Sequence, residues 1–158
     1  MLMILLLFHD KNHLVQLWHI KAAIEECYGP FGLKVQDRGY LHVPFKGPKL
    51  NAAKLLKYLE VSATKSVSLW LLDGELYYPE IGGIFGCSTK QSALLSGLGM
   101  ELEILAKESL HEVGHLLGLD HCMEVCIMNI SHSIEQAQEK SSHLCEACST
   151  FLRKKIEN

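Results

Sequence analysis

The chain lacks a surplus of either charge. Its 15 Lys and Arg stand against 18 Asp and Glu, a formal net charge of -3. That balance gives no electrostatic reason to expect nucleic acid or an anionic membrane as a partner. The chain also lacks an apolar run long enough for a membrane span, which takes roughly 20 residues. The N-terminal MLMILLLF is apolar, but His9-Asp10-Lys11 ends it at once. It has no basic leading region and no small-residue cleavage site, so a secretory signal is not expected. A buried strand fits it better, because strands covered on both faces read as continuous apolar runs. No internal repeat, low-complexity tract or linker interrupts the sequence. The 158 residues therefore suit a single domain, 1–158, with one sizeable core.

What is present alternates between strand-like and helix-like stretches. Strands are expected at Leu2–Phe8, Leu33–Asp37, Val67–Leu72, Gly83–Cys87 and Gln91–Ser96. A helix is expected over His13–Tyr28, stopped by Gly29-Pro30, and another over Asn51–Val61 with Asn51 as its cap. Residues 39–50, with Pro44, Gly47 and Pro48, read as a loop, as does the stretch through Pro79 and Gly82-Gly83. A further helix begins near Gly99, where Leu102, Leu105, Ala106, Ser109, Val113 and Leu116 form an apolar stripe of helical period. A last helix is expected at about 146–156. This order predicts an α/β fold with helices packed on a mixed sheet.

The informative stretch is HEVGHLLGLDHC, residues 111–122. His111 and His115 are four apart on the predicted helix, so both imidazoles share one face and can grip one metal ion. Glu112 projects roughly 100° further around the helix, within reach of a water at the metal but displaced from ligation. Gly118 can take positive φ, end the helix and let His121 return to the same ion. Three histidines leave a fourth position for water, as in catalytic zinc sites. The chemistry implied is a water activated by zinc, with Glu112 as general base. The plain alternative, three ordinary helix and turn histidines, accounts for HExxH alone far better than for HExxHxxGxxH.

Four of the six cysteines lie in the last quarter: Cys122, Cys126, Cys145 and Cys148. The pairs have the spacing of two metal-binding knuckles, which together make a closed, structural four-cysteine zinc site. Two disulfides or four free thiols are the alternatives, and His143 is a possible substitute ligand. Cys27 and Cys87 read as small buried apolar residues. Cysteines in an intracellular chain more often bind metal than pair as disulfides, and the expected compartment is cytoplasmic.

HExxHxxGxxH followed by a methionine resembles the metzincin clan of zinc peptidases, in which a methionine turn runs beneath the three histidines. Met128, in CIMNIS, is the matching residue. Cys122 directly after His121, then Cys126, Met128 and the distal Cys145-x-x-Cys148, resembles one family of that clan, the archaemetzincins. Two gaps are each one residue shorter than that family's pattern: three residues between Cys122 and Cys126, and sixteen between Met128 and Cys145. The resemblance implies a compact zincin-like α/β domain and a metallopeptidase, with aminopeptidases among its members. Two zinc ions are implied per chain: a catalytic ion on His111, His115 and His121, and a structural ion on Cys122, Cys126, Cys145 and Cys148. It also implies that Gly83–Cys87 is the edge strand lining the cleft. Some metzincins place a tyrosine after the methionine turn. None stands near Met128, and His132 there reads as a surface histidine that could serve as a donor.

The expected activity is peptide-bond hydrolysis by a monomer acting on peptides or proteins, with no nucleic acid or membrane partner. The rival expectation is a non-enzymatic peptide- or protein-binding module that retains both zinc sites.

Overall fold

The computed structural model describes residues 3–10, 14–62 and 66–158. Leu2 and His13, at the ends of two expected elements, lie outside the described residues. Five strands form the main sheet: β1 (Met3–His9), β2 (Leu33–Tyr40), β4 (Val67–Leu72), β7 (Gly86–Ser88) and β8 (Ser92–Ser96). They lie in the order β2-β1-β4-β8-β7. All neighbouring pairs are parallel except β7 and β8, which are antiparallel. A smaller sheet of β3 (Lys49–Asn51), β5 (Glu75–Tyr78) and β6 (Gly82–Ile84) lies in the order β3-β5-β6.

Both faces of the main sheet are covered, which explains why its central strands are nearly continuous in apolar residues. Side chains alternate across a strand. Leu5 and Leu7, Leu69 and Leu71, and Ala93 and Leu95 face one core. That core also holds Leu17, Ile20 and Ile24 of α1 (Leu14–Tyr28), and Leu105, Leu110 and Val113 of α3 (Leu102–Leu116). Phe8, Trp70, Leu72 and Leu94 face the other, against Leu55 and Leu59 of α2 (Ala52–Ser62) and Leu76 of β5. Each such fully buried side chain contributes about 1.5–3 kcal/mol of transfer free energy. The alternation thereby fixes the sheet register and the seat of α3 at once.

The expected strand Gly83–Cys87 is two strands in different sheets. Gly82–Ile84 pairs with β5, while Gly86–Ser88 pairs with β8. At the junction Ser96 donates its backbone N–H to the Phe85 carbonyl, 2.8 Å. The segment is thus strung between the two sheets and cannot belong wholly to either. The expected loops at 39–50 and around Pro79 contain the short strands β3, β5 and β6. A six-residue helix, α4 (Ile134–Glu139), and the last helix, α5 (Glu146–Glu157), complete the chain.

Candidate metal centre

α3 carries His111, Glu112 and His115 on its last turns, and its end is tightly made. Gly118 has φ of 98°. Its N–H donates to the His115 carbonyl at 3.0 Å, and the N–H of Leu119 donates to the Gly114 carbonyl at 2.9 Å. This is the Schellman closure, which needs a residue that tolerates left-handed backbone. Lys155 of α5 donates to the Leu117 carbonyl at 2.6 Å and satisfies one more helix-end acceptor. The reversal brings His121 back: its ring centroid lies 5.2 Å from that of His111 and 4.8 Å from that of His115.

The tautomers of the two helix histidines follow from their partners. His111 Nδ1 lies 2.9 Å from the Ile127 carbonyl, and His115 Nδ1 lies 2.8 Å from the Leu119 carbonyl. A carbonyl only accepts, so each Nδ1 carries the proton and each Nε2 keeps a lone pair. Those two Nε2 atoms face each other at 3.1 Å. Two lone pairs with no proton between them repel, and a cation relieves the repulsion. Two nitrogens each 2.0–2.1 Å from one tetrahedral zinc ion stand about 3.3 Å apart. One ligand nitrogen from each of His111, His115 and His121 lies within 4.8 Å of the others. The donor set therefore fits a metal ion. Burial first, then the nearby positive charge of Lys140, pushes His111 down to about 3, and burial also lowers His115. Both rings stay neutral, as ligation requires.

Met128 is fully buried beneath this site. Its sulfur fills the space that a Cβ at residue 114 would take, and the Tyr28 hydroxyl would lie 2.9 Å from that Cβ. Gly114, which stands at an unspecified position between the two helix histidines, is what lets the methionine reach the underside of the helix. Tyr28 also donates to the Leu110 carbonyl at 2.6 Å, tying α1 to the metal-bearing helix.

Glu112 lies in the wall of a cavity of about 680 Å³, with His111, His121, Glu108, Phe85 and Gly86 among its other lining residues. Gly86 of the edge strand leaves room for it: a Cβ there would stand 3.1 Å from Glu112 Oε1. Burial chiefly, then the Glu108 carboxylate, pushes the Glu112 carboxyl up to about 8, against the lowering effects of Lys140 and a hydrogen bond from Ser88. A carboxyl held in that range can both take and give a proton near neutrality. His132 also lines the cavity, and its ring is exposed.

The second cluster joins two knuckles. Cys122 Sγ and Cys145 Sγ are 3.7 Å apart, and Cys126 Sγ and Cys148 Sγ are 3.8 Å apart. These separations exclude disulfides, whose sulfurs bond at about 2.05 Å. They match two sulfurs on one tetrahedral zinc ion, about 3.8 Å apart for bonds of about 2.3 Å. All four sulfurs lie within 4.8 Å of one another. His143 lies outside the cluster, and its carbonyl accepts from Ile127 N at 2.8 Å. Cys126 Sγ accepts from the N–H groups of Met128 and Cys145 at 3.4 and 3.3 Å. Cys145 stands at the N-cap of α5, and the nearby Cys148 backbone, chiefly, pushes its thiol down to about 7. The two clusters share a strand of chain, since Cys122 N donates to the Met128 carbonyl at 2.9 Å.

Three site residues have no counterpart among those expected from sequence: Glu108, Lys140 and Ser88. Glu108 stands one turn before Glu112, and its acidic side chain inside the apolar stripe of α3 is the signal that could have marked it. Lys140 and Ser88 carry no such signal.

Comparison with known proteins places the chain among relatives. Residues 97–154 match the family described as "Peptidase family M54". An archaemetzincin of Aeropyrum pernix is 35% identical over 92 residues, 52% of this chain and 50% of that protein. One of Sulfolobus acidocaldarius is 32% identical over 119 residues, 65% of this chain and 67% of that one. The chain spans about half to two thirds of the length of the first of these relatives. The crystal structure of an archaemetzincin from Methanopyrus kandleri superposes with a TM-score of 0.83 at 26% identity, covering 99% of this chain and 97% of that one.

Proposed function

The chain belongs to the archaemetzincin family of zinc-dependent peptidases, and from that premise we propose that it hydrolyses peptide bonds, with Glu112 as general base. The carrying observation is a deeply buried, proton-poised carboxyl in one cavity wall with His111 and His121, two of the three imidazoles that converge. His111, His115 and His121 would hold a catalytic zinc, and Cys122, Cys126, Cys145 and Cys148 a structural one, two ions per chain. When bound at the histidines, zinc lowers the pKa of water and polarises a carbonyl.

The chain's own residues do the rest. Glu112 takes a proton from water as the water oxygen adds to the peptide carbonyl carbon. It then returns that proton to the amide nitrogen as the C–N bond breaks. Gly86 and Ser88 fix where the carboxyl stands. β7 is an edge of the main sheet, so an extended peptide can pair with it and run past Glu112. The cysteine cluster holds the chain just after His121 and so fixes the third ligand.

In this reading residues 1–158 act as one catalytic domain and as a monomer. The substrate is a peptide or protein, with aminopeptidase action within the family's range. The protein acts in the cytoplasm and needs no nucleic acid or membrane. Among the described residues no helix is long and apolar enough to cross a membrane. The test is cleavage of a peptide library by zinc-loaded protein, with chelator and after zinc return. Hydrolysis lost and regained supports the enzyme. Peptide binding without turnover in any metal state would overturn it.

A further inference from the structure

A buried ion pair stands directly behind the first histidine. Lys140 Nζ lies 2.9 Å from Glu108 Oε1, and both side chains are almost wholly buried, 3% and 6% exposed. Burying both charges is costly unless the pair has a tight partner and a reason to stay. A neighbouring lysine holds the pair in place. Lys107, next to Glu108 on α3, donates to the carbonyls of Gln138 and Lys140, both at 2.8 Å. These bonds pin the end of α4, and with it Lys140, against α3. Hydrophobic residues of similar volume would pack there at no charge-burial cost, so the ion pair calls for a functional reason.

That reason lies in the ring of His111. Its Nδ1 has two polar neighbours with opposite demands. The Ile127 carbonyl, at 2.9 Å, accepts and so requires the proton on Nδ1. The Lys140 ammonium, at 3.4 Å, has three donors and no acceptor, and so can bond only to a bare Nδ1. If the ammonium prevailed, the ring's proton would move to Nε2. The nitrogen facing His115 would then have no lone pair for a metal. Glu108 biases the contest by charge: its Oε1 stands 2.9 Å from the ammonium, nearer than the ring nitrogen at 3.4 Å, although it makes no hydrogen bond of good geometry there.

We propose that Glu108 is a positioning residue that selects the metal-binding tautomer of His111 by drawing the Lys140 ammonium away from Nδ1. Nothing in the HExxHxxGxxH pattern assigns either residue a part. The inference rests on the reading that the three histidines hold zinc, but its primary readout needs no metal. Glu108 acts on the ring through Lys140, which sets it apart from the general base one turn further on.

The experiment follows the His111 ring nitrogens in the metal-free protein, labelled with 15N-histidine. Two-bond proton–nitrogen correlation spectra report which nitrogen carries the proton at a pH above the ordinary histidine pKa. His111→Asn identifies the signals. The wild type should carry the proton on Nδ1. In Glu108→Met, which removes the acceptor, it should move to Nε2. In Glu108→Met/Lys140→Met, which removes the competing donor as well, it should return to Nδ1. Zinc titrated against a chelator, read on the same resonances, should bind about tenfold more weakly to Glu108→Met and recover to within about threefold in the double variant. If the stranded ammonium prevents Glu108→Met from folding, Glu108→Gln, which keeps only a weaker, neutral acceptor, should move part of the proton to Nε2, and the double variant carries neither buried charge.

A loss of zinc affinity with the proton still on Nδ1 would mean that the pair acts only as through-space charge, and would overturn the proposal. So would a double variant whose ring stays on the Nε2 tautomer. Zinc that leaves the wild-type histidine resonances unmoved would overturn the metal-site reading and the proposal with it. A variant ring that keeps its Nδ1 proton overturns the proposal alone.

Discussion

Met128 packs its sulfur into the space that a Cβ on Gly114 would fill, directly under the helix that carries His111 and His115. This glycine, between the two helix histidines, is therefore a packing requirement, since it takes no positive φ. Helix propensity alone would make Gly114→Ala stabilising by about 1 kcal/mol in a helix interior. The contact reverses the sign: overpacking of this kind costs about 1–3 kcal/mol. Urea unfolding of the zinc-loaded protein should show the loss, and in a Met128→Ala background the same glycine substitution should cost much less. A Gly114→Ala variant as stable as the parent would mean that the methionine turn can retreat freely.

The metal-free protein should have a stability maximum in pH. His111 is held at about 3 against an ordinary 6.5, so the unfolded chain binds the extra proton as pH falls. Stability is then lost from about pH 6.5 towards 3. Glu112 shifts the other way, to about 8 against 4.5. There the folded state binds the extra proton, and stability falls as pH rises from about 4.5 to 8. Glu112→Gln should abolish the alkaline decline and leave the acid limb alone. Melting curves of chelated protein across that range would check both limbs, and an unchanged alkaline slope in the variant would contradict the assignment of that limb to Glu112.

The elements around the site were legible where they carry a repeated pattern. The stripe from Leu102 to Leu116 marked α3, and the spacing of His111, His115 and His121 around Gly118 marked the convergence the structure has. Val67–Leu72 was readable as a strand because both its faces are buried. The small sheet was not, since Lys49–Asn51 and Gly82–Ile84 are too short to establish a period of two. Gly82 and Gly83 look like turn residues wherever they stand. α4 did leave a trace: Ser133 accepts from Gln136 N at 3.1 Å, and Gln136 Oε1 accepts from His132 N at 2.8 Å. The serine cap with Gln136 three residues on is spelled out in the sequence, although the glutamine reaches back one residue beyond the cap itself. Lys140 was invisible for a different reason. Nothing local to it says that it will be carried against a ring 29 positions earlier.

Cys145→Ser tests the link between the two clusters. The variant should bind one zinc in place of two, and its melting temperature should fall by more than about 5 °C, because metal-binding free energy at a structural site is folding free energy. The histidine site should weaken too. Cys122 follows His121 directly and ties to the Met128 carbonyl, so loosening the cysteines frees the third ligand. Elemental analysis and chelator titration separate the two effects. Zinc affinity at the histidines unchanged beside a lost cysteine site would show the centres to be independent.

Glu112→Gln separates binding from chemistry. The side chain keeps its shape and loses the ability to accept a proton, while His111, His115 and His121 are untouched. Zinc content should stay at the wild-type value, and peptide turnover should fall by about 10²–10⁴-fold, the range for a positioned general base. The loss should appear in kcat with KM little changed, because the carboxyl acts on water and makes no contact that holds the peptide on β7. Ser88→Ala is the graded companion. It removes the hydrogen bond that lowers the Glu112 pKa, so the acid limb of the rate profile should move to higher pH with the base still present. Turnover in Glu112→Gln within a fewfold of wild type, at equal zinc content, would assign the proton transfer elsewhere. His132, the exposed imidazole in the same cavity wall, would be the first group to substitute next.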